Sequence, residues 1–95
     1  MPNNTVWKYK LNLQPDSRAI VSLPGDTPRV LSVDRDPQGD VVLWAAVDKN
    51  STETNTVTIS VVGTGHDLPA DAGYFLNTFQ IGLAYVFHAF YKFEE

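Results

Sequence analysis

The residues most able to do chemistry lie together in one run, VVGTGHDLPADAGYFLNTF, residues 61–79. Gly63, Thr64 and Gly65 follow an apolar stretch, and His66, Asp67 and Asp71 come just after. Backbone N–H groups of Gly63, Thr64 and Gly65 could cradle a small anion, with His66 and the second histidine, His88, supplying side-chain contacts. A dinucleotide fingerprint needs a third glycine and a helix behind it, and here the third glycine is absent and Pro69 interrupts. A nucleotide-binding P-loop would need Gly-Lys-Ser/Thr, which is also missing.

Catalysis would ask His66 or His88 to act as base, Asp67 or Asp71 to orient it, and Thr64 or Ser60 to attack. Two histidines and Asp67 could also meet a zinc ion, but no H-x-x-x-H spacing supports a metal site. The structural reading has the widest support. Two glycines supply backbone angles for a tight exit from a strand, Asp67 or Asp71 caps a short helical turn in DLPADAG, and Gly73 ends it. The sequence thus favours architecture, with a small anionic ligand on Gly63, Thr64, Gly65, His66 and His88 as the alternative. It points to no catalytic residue, metal or cofactor.

The elements around this run have a period of two. TVWKYKLNL places Trp7, Tyr9, Leu11 and Leu13 on one face and Lys8 and Lys10 on the other. QPDS turns, and RAIVSLP directs Ala19, Val21 and Leu23 inward. After PGDTP, RVLSVDR directs Leu31 and Val33 inward. DPQGD is the clearest turn, and its acids Asp36 and Asp40, with Asp34 before them, read as a solvated loop. VVLWAAVD is apolar on both faces, as a central or interface strand would be. TVTISVVG directs Val57, Ile59 and Val61 inward, and two aromatic-rich strands joined near Gly82 close the chain. In the last of these His88 sits among aromatics as a packing residue. The pattern predicts an all-β single domain over residues 1–95, with about seven short, mainly antiparallel strands in a sandwich or small barrel.

Composition narrows the function classes. A chain of 95 residues with 43% hydrophobic residues can bury one core. It has no cysteine, which removes disulfides and thiol chemistry. No apolar run approaches the roughly 20 residues of a membrane helix, and the expectation is a cytoplasmic protein without membrane contact. A net charge of −4, with its few basic residues scattered, argues against nucleic acid as partner. Charged residues are only 19%, so apolar surface is left for a protein partner, with Trp7, Tyr9 and Trp44 as candidate contacts. The final strand, apolar on both faces, lies mid-sheet or is covered by a second copy, and a homo-oligomer is expected.

VWKY, LWAAVD, VVGTGHDLP, TFQ and YVFHAF occur in this order along nearly the whole chain. The chain thereby resembles a family of short proteins, of unassigned function, encoded by tailed bacteriophages and prophages. It departs from that pattern at Asn77, where a glycine is expected. The resemblance implies a phage protein in the cytoplasm of an infected bacterial host. It implies a non-enzymatic accessory role, binding and modulating or inhibiting a host or defence macromolecule. Sequestration of a nucleotide signal and a place in the virion or its assembly are the alternatives.

Overall fold

The computed structural model describes residues 2–14 and 16–94; Pro15, assigned above to the first turn, lies outside them, as do Met1 and Glu95. The described residues form seven strands: β1 (Thr5–Lys10), β2 (Arg18–Pro24), β3 (Arg29–Arg35), β4 (Val41–Val47), β5 (Thr54–Gly63), β6 (Tyr74–Ile81) and β7 (Tyr85–Phe93). They build a three-stranded sheet in the order β1-β4-β3 and a four-stranded sheet in the order β2-β5-β7-β6. Every pairing is antiparallel. The all-β expectation holds, and the architecture is a sandwich rather than a closed barrel. Among the described residues, no helix is long and apolar enough to cross a membrane.

The two inner faces are the alternating apolar positions of the sequence. Ala19 and Leu23 of β2, Leu43, Ala45 and Val47 of β4, Val57, Ile59 and Val61 of β5, and Ala89 of β7 are buried in one cluster. Strands apolar on both faces become central ones: β4 between β1 and β3, and β7 between β5 and β6. Of the two situations expected for the last strand, the mid-sheet position is therefore the one observed.

Two inward assignments change. Val30 pairs with Ala45 and Ser32 with Trp44, so Leu31 is the extra residue of a bulge and is exposed, while Val30 packs against the core. A bulge inserts one residue and inverts the alternation on one side of it. β1 ends at Lys10 rather than at Leu13. Leu11 remains buried, its N–H bonded to the Val41 carbonyl at 3.0 Å, while Leu13 lies beyond the strand and is exposed.

The β3–β4 turn is also less solvated than its composition suggests. The Asp36 side chain is 3% exposed. Its Oδ1 accepts the N–H groups of Gln38 and Asp40, both at 3.0 Å, and Oδ2 accepts from Lys8 Nζ at 2.9 Å. One carboxylate thus folds the turn and ties it to β1. The Lys8 hydrogen bond, ahead of the turn's own N–H groups, holds the Asp36 carboxyl below the usual carboxylate range.

At the β3 and β6 edges the two sheets are hydrogen-bonded through the Asn77 side chain. Asn77 Oδ1 accepts the Val33 N–H at 2.9 Å and Asn77 Nδ2 donates to the Val33 carbonyl at 2.8 Å. The carboxamide presents the donor and acceptor of a peptide group to an edge strand that has no backbone neighbour on that side. A second bulge, between Phe75 and Asn77, sets this residue on the inner face.

Asn77→Asp keeps the size but replaces the donor by a carboxylate oxygen, leaving the Val33 carbonyl unpaired. A loss of about 2 kcal/mol, on the order of 10 °C in Tm, is expected in thermal melts. Asp36 titrates with a depressed folded value, so its stabilisation is complete above the unfolded carboxyl value of about 3.9 and is lost as pH falls through the folded value. Urea titrations from pH 6 downward to about pH 2 should show the wild type losing stability faster than Asp36→Asn.

Candidate functional site

β5 and β6 each run antiparallel to β7, so they are parallel to one another. Their connection, residues 64–73, cannot be a hairpin and must pass across β7. The GTGH run is the start of that crossover.

Its first turn is closed by the His66 N–H on the Gly63 carbonyl at 3.0 Å, with Gly65 at φ +88° in the third position. Only glycine and asparagine take that position readily. The Thr64 N–H donates to the Val86 carbonyl at 3.1 Å, which extends the β5–β7 ladder by one bond. The His66 ring lies against Gly63, where a Cβ would stand 3.0 Å from Nδ1.

His88 anchors the turn from below. Thr64 Oγ1 is 2.8 Å from His88 Nε2, Thr78 Oγ1 is 2.9 Å from His88 Nδ1, and Thr64 Oγ1 is 3.2 Å from the Val86 carbonyl. One assignment uses each proton once: Thr78 donates to Nδ1, Nε2–H donates to Thr64, and Thr64 donates to Val86. His88 is therefore a bridge between two strands and the loop, with both ring nitrogens engaged.

Beyond the turn, Leu68 joins Val62, His88 and Phe90 in lining a shallow cavity of about 220 Å³. Asp71 reaches back to β2, with Arg18 Nη1 donating to Oδ2 at 3.1 Å and Arg18 Nη2 donating to Oδ1. The hydrogen-bonded pair raises the Arg18 pKa and lowers that of Asp71. The loop then passes so close to β7 that a Cβ on Gly73, at φ +91°, would stand 2.2 Å from the Tyr91 carbonyl oxygen. Ser60, on the outer face with Arg18 and Phe90 as cross-strand neighbours, is 2% exposed, and its hydroxyl has no hydrogen-bond partner.

The predicted ligand residues thus come together: Gly63, Thr64, Gly65, His66 and His88 form one corner. Of the three loop amides that would cradle an anion, that of Thr64 is occupied by the Val86 carbonyl, and the neighbouring His66 N–H closes the turn on Gly63. The helical turn expected in DLPADAG does not form. A turn closed by the Ala72 N–H on Pro69 stands there, and Asp71 serves the ion pair with Arg18 instead of a cap. The aromatic trio is divided. Trp7 and Tyr9 stand opposite inward-facing Ala45 and Leu43, while Trp44 stands opposite Lys8 on the other face. Trp7 is exposed; Tyr9 packs on the core with its hydroxyl buried and unpartnered, and burial raises its pKa.

Sequence reasoning passed over a different set of residues. Leu68, Phe75 and Ile20 are 59%, 58% and 70% exposed, and all belong to the outer side of the four-stranded sheet. The Phe75 ring meets Phe90 edge-on, with centroids 5.7 Å apart. Leu83, at the tip of the β6–β7 hairpin, is 104% exposed. Its signal was an apolar residue inside a turn, IGLAY, where a polar one is usual.

The fold and its strapped outer face define a small antiparallel β-sandwich with one crossover connection. The chain belongs to the family DUF7352, a domain of unknown function, which it matches over residues 2–95. No curated protein and no solved structure matches it.

Gly73→Ala tests whether the strap is held as tightly as its geometry requires. The positive φ and the contact with Tyr91 together should cost roughly 2–4 kcal/mol in urea unfolding. Gly65→Ala, with the same sign of φ but open space around the Cβ, should cost about 1 kcal/mol.

Proposed function

We propose that this protein is a non-enzymatic binding module whose contact surface is the outer face of the four-stranded sheet. The observation that carries this reading is the gathering of Leu68, Phe75 and Phe90 around one exposed patch, with Ile20 further along the same face. Large apolar side chains left in water on a face that also carries a pinned loop are typical of protein-contact surfaces. Phe75 is the natural anchor, since an aromatic ring backed by a second ring loses little freedom on docking.

The resemblance to phage-encoded proteins supports a host or defence protein as the partner, met in the cytoplasm of an infected bacterium. The anionic-ligand reading draws less support, because His88 and the Thr64 amide are already bonded within the fold.

Tagged wild type, Leu68→Glu and Phe75→Glu are compared in capture from a bacterial host lysate and by native mass spectrometry. A protein held stoichiometrically by the wild type and weakened roughly thirtyfold (about 2 kcal/mol) by either substitution, at unchanged Tm, is the expected result. Equal retention by both variants would remove this face as the surface. A small bound mass in place of a protein would move the function to the loop, and recovery only in purified particles would make the chain a virion component.

A further inference from the structure

The crossover takes a longer way round than its ends require. The sheet order is β2-β5-β7-β6, so the direct route from the end of β5 to the start of β6 crosses β7 alone. Asp71 nevertheless bonds to Arg18 of β2, on the other side of β5. The loop is fixed at both ends. Thr64 is bonded to Val86 and His88, and Gly73 packs on the Tyr91 carbonyl. Between these points, among the described residues, no backbone group of residues 67–71 bonds to a strand. The Ala72 N–H on the Pro69 carbonyl stays within the loop. Among the described residues, the Arg18 guanidinium is therefore the one hydrogen-bonding tie between the middle of the loop and the sheet.

This tie shares a cross-strand row with the exposed patch. Arg18 stands opposite Ser60, Ser60 opposite Phe90, and Phe90 opposite Phe75. One end of the row holds the loop through Asp71, and the other is the Phe75–Phe90 ring pair. Leu68, three residues before Asp71, meets the row at Phe90, with which it lines the shallow cavity. We infer that Arg18 and Asp71 are positioning residues for the outer-face surface: their paired side chains hold the crossover over β5 and so fix Leu68 beside Phe90. The inference rests on that surface being the contact face. Two hydrogen bonds to one carboxylate set direction as well as distance, because the planar guanidinium fork meets both oxygens. A loop ordered beforehand loses less freedom on docking. The two side chains are 26% and 61% exposed, so the tie has the strength of a surface pair. It shifts the loop's equilibrium by roughly two- to fivefold. With the pair broken, the loop relaxes toward the direct route over β7, where Lys92 already acts on Asp71 through charge alone.

Native-state proteolysis of the full chain tests this, with a protease that cuts on the amino side of leucine and so reads loop opening at the Asp67–Leu68 bond. When a loop opens and closes faster than it is cut, the cleavage rate follows the open population. Arg18→Gln and Asp71→Asn should each speed cleavage there by about two- to fivefold, with Tm within about 3 °C of wild type. The exchanged pair, Arg18→Asp with Asp71→Arg, should return the rate to within about twofold of wild type. About 0.5 M salt should speed cleavage of the wild type relative to Asp71→Asn, because it screens the pair. Lys92→Gln, which removes a charge but no hydrogen bond, should leave the rate within about twofold. The protein captured by the outer face should bind each single variant of the pair about two- to fivefold more weakly and the exchanged pair nearly as well as wild type. Unchanged cleavage in both single variants, an exchanged pair no better than either, or an equal change in Lys92→Gln would overturn the tie. Cleavage that responds while binding does not would overturn the positioning role. Should Leu68→Glu and Phe75→Glu leave capture unchanged, the surface reading falls by itself, while the cleavage pattern still decides the tie.

Discussion

The position of β7 between β5 and β6 is the constraint on which the distinctive parts of this structure depend. Because β7 pairs with both, β5 and β6 are forced parallel, and the chain between them has to cross a sheet face. That crossing draws Asp71 across to Arg18 and needs glycine where the loop grazes the Tyr91 carbonyl. The His88 bridge belongs to the same solution, since it joins the loop, β7 and β6 through two hydroxyls.

The sandwich manages its edges by side chains rather than by closure. The outer edge of β3 is satisfied at Val33 by the Asn77 carboxamide. β2 is flanked at both ends, by the Gln14 N–H on the Arg18 carbonyl and by the Asp48 N–H on the Pro24 carbonyl. β1 carries two lysines, each facing an aspartate of the β3–β4 turn. These devices limit strand addition by other chains. They leave side-chain surface, rather than open edges, exposed for contact.

The GTGH run shows how one motif can be read in two ways and how geometry chooses. Its residue types suit an anion cradle. In the fold its amides close a turn and extend a ladder, and its histidine neighbour is held by threonines. The surface on which the proposed function rests comes from residues with no motif at all: a leucine in the loop, a phenylalanine at the start of β6 and its ring partner on β7.

The sequence by itself determined the fold class and most of the core. Strand alternation is a local property, and residues two apart share a face whatever the strand pairs with. Ala19, Leu23, Leu43, Ile59 and Ala89 could therefore be assigned to inner or shared faces before any partner was known. The turns at DPQGD and near Gly82 were legible because glycine, proline and aspartate bias the backbone locally. Tertiary structure alone decided strand order, the bulges at Leu31 and Leu76, and the roles of Asn77, Asp71, Arg18 and Thr78. Each of these rests on contacts between residues distant along the chain, which no local pattern records: Asn77 and Val33 are 44 positions apart, and Arg18 and Asp71 are 53. The same reason separates Trp7 from Trp44 and joins Leu68 to Phe90, because a surface is defined by which strands lie side by side.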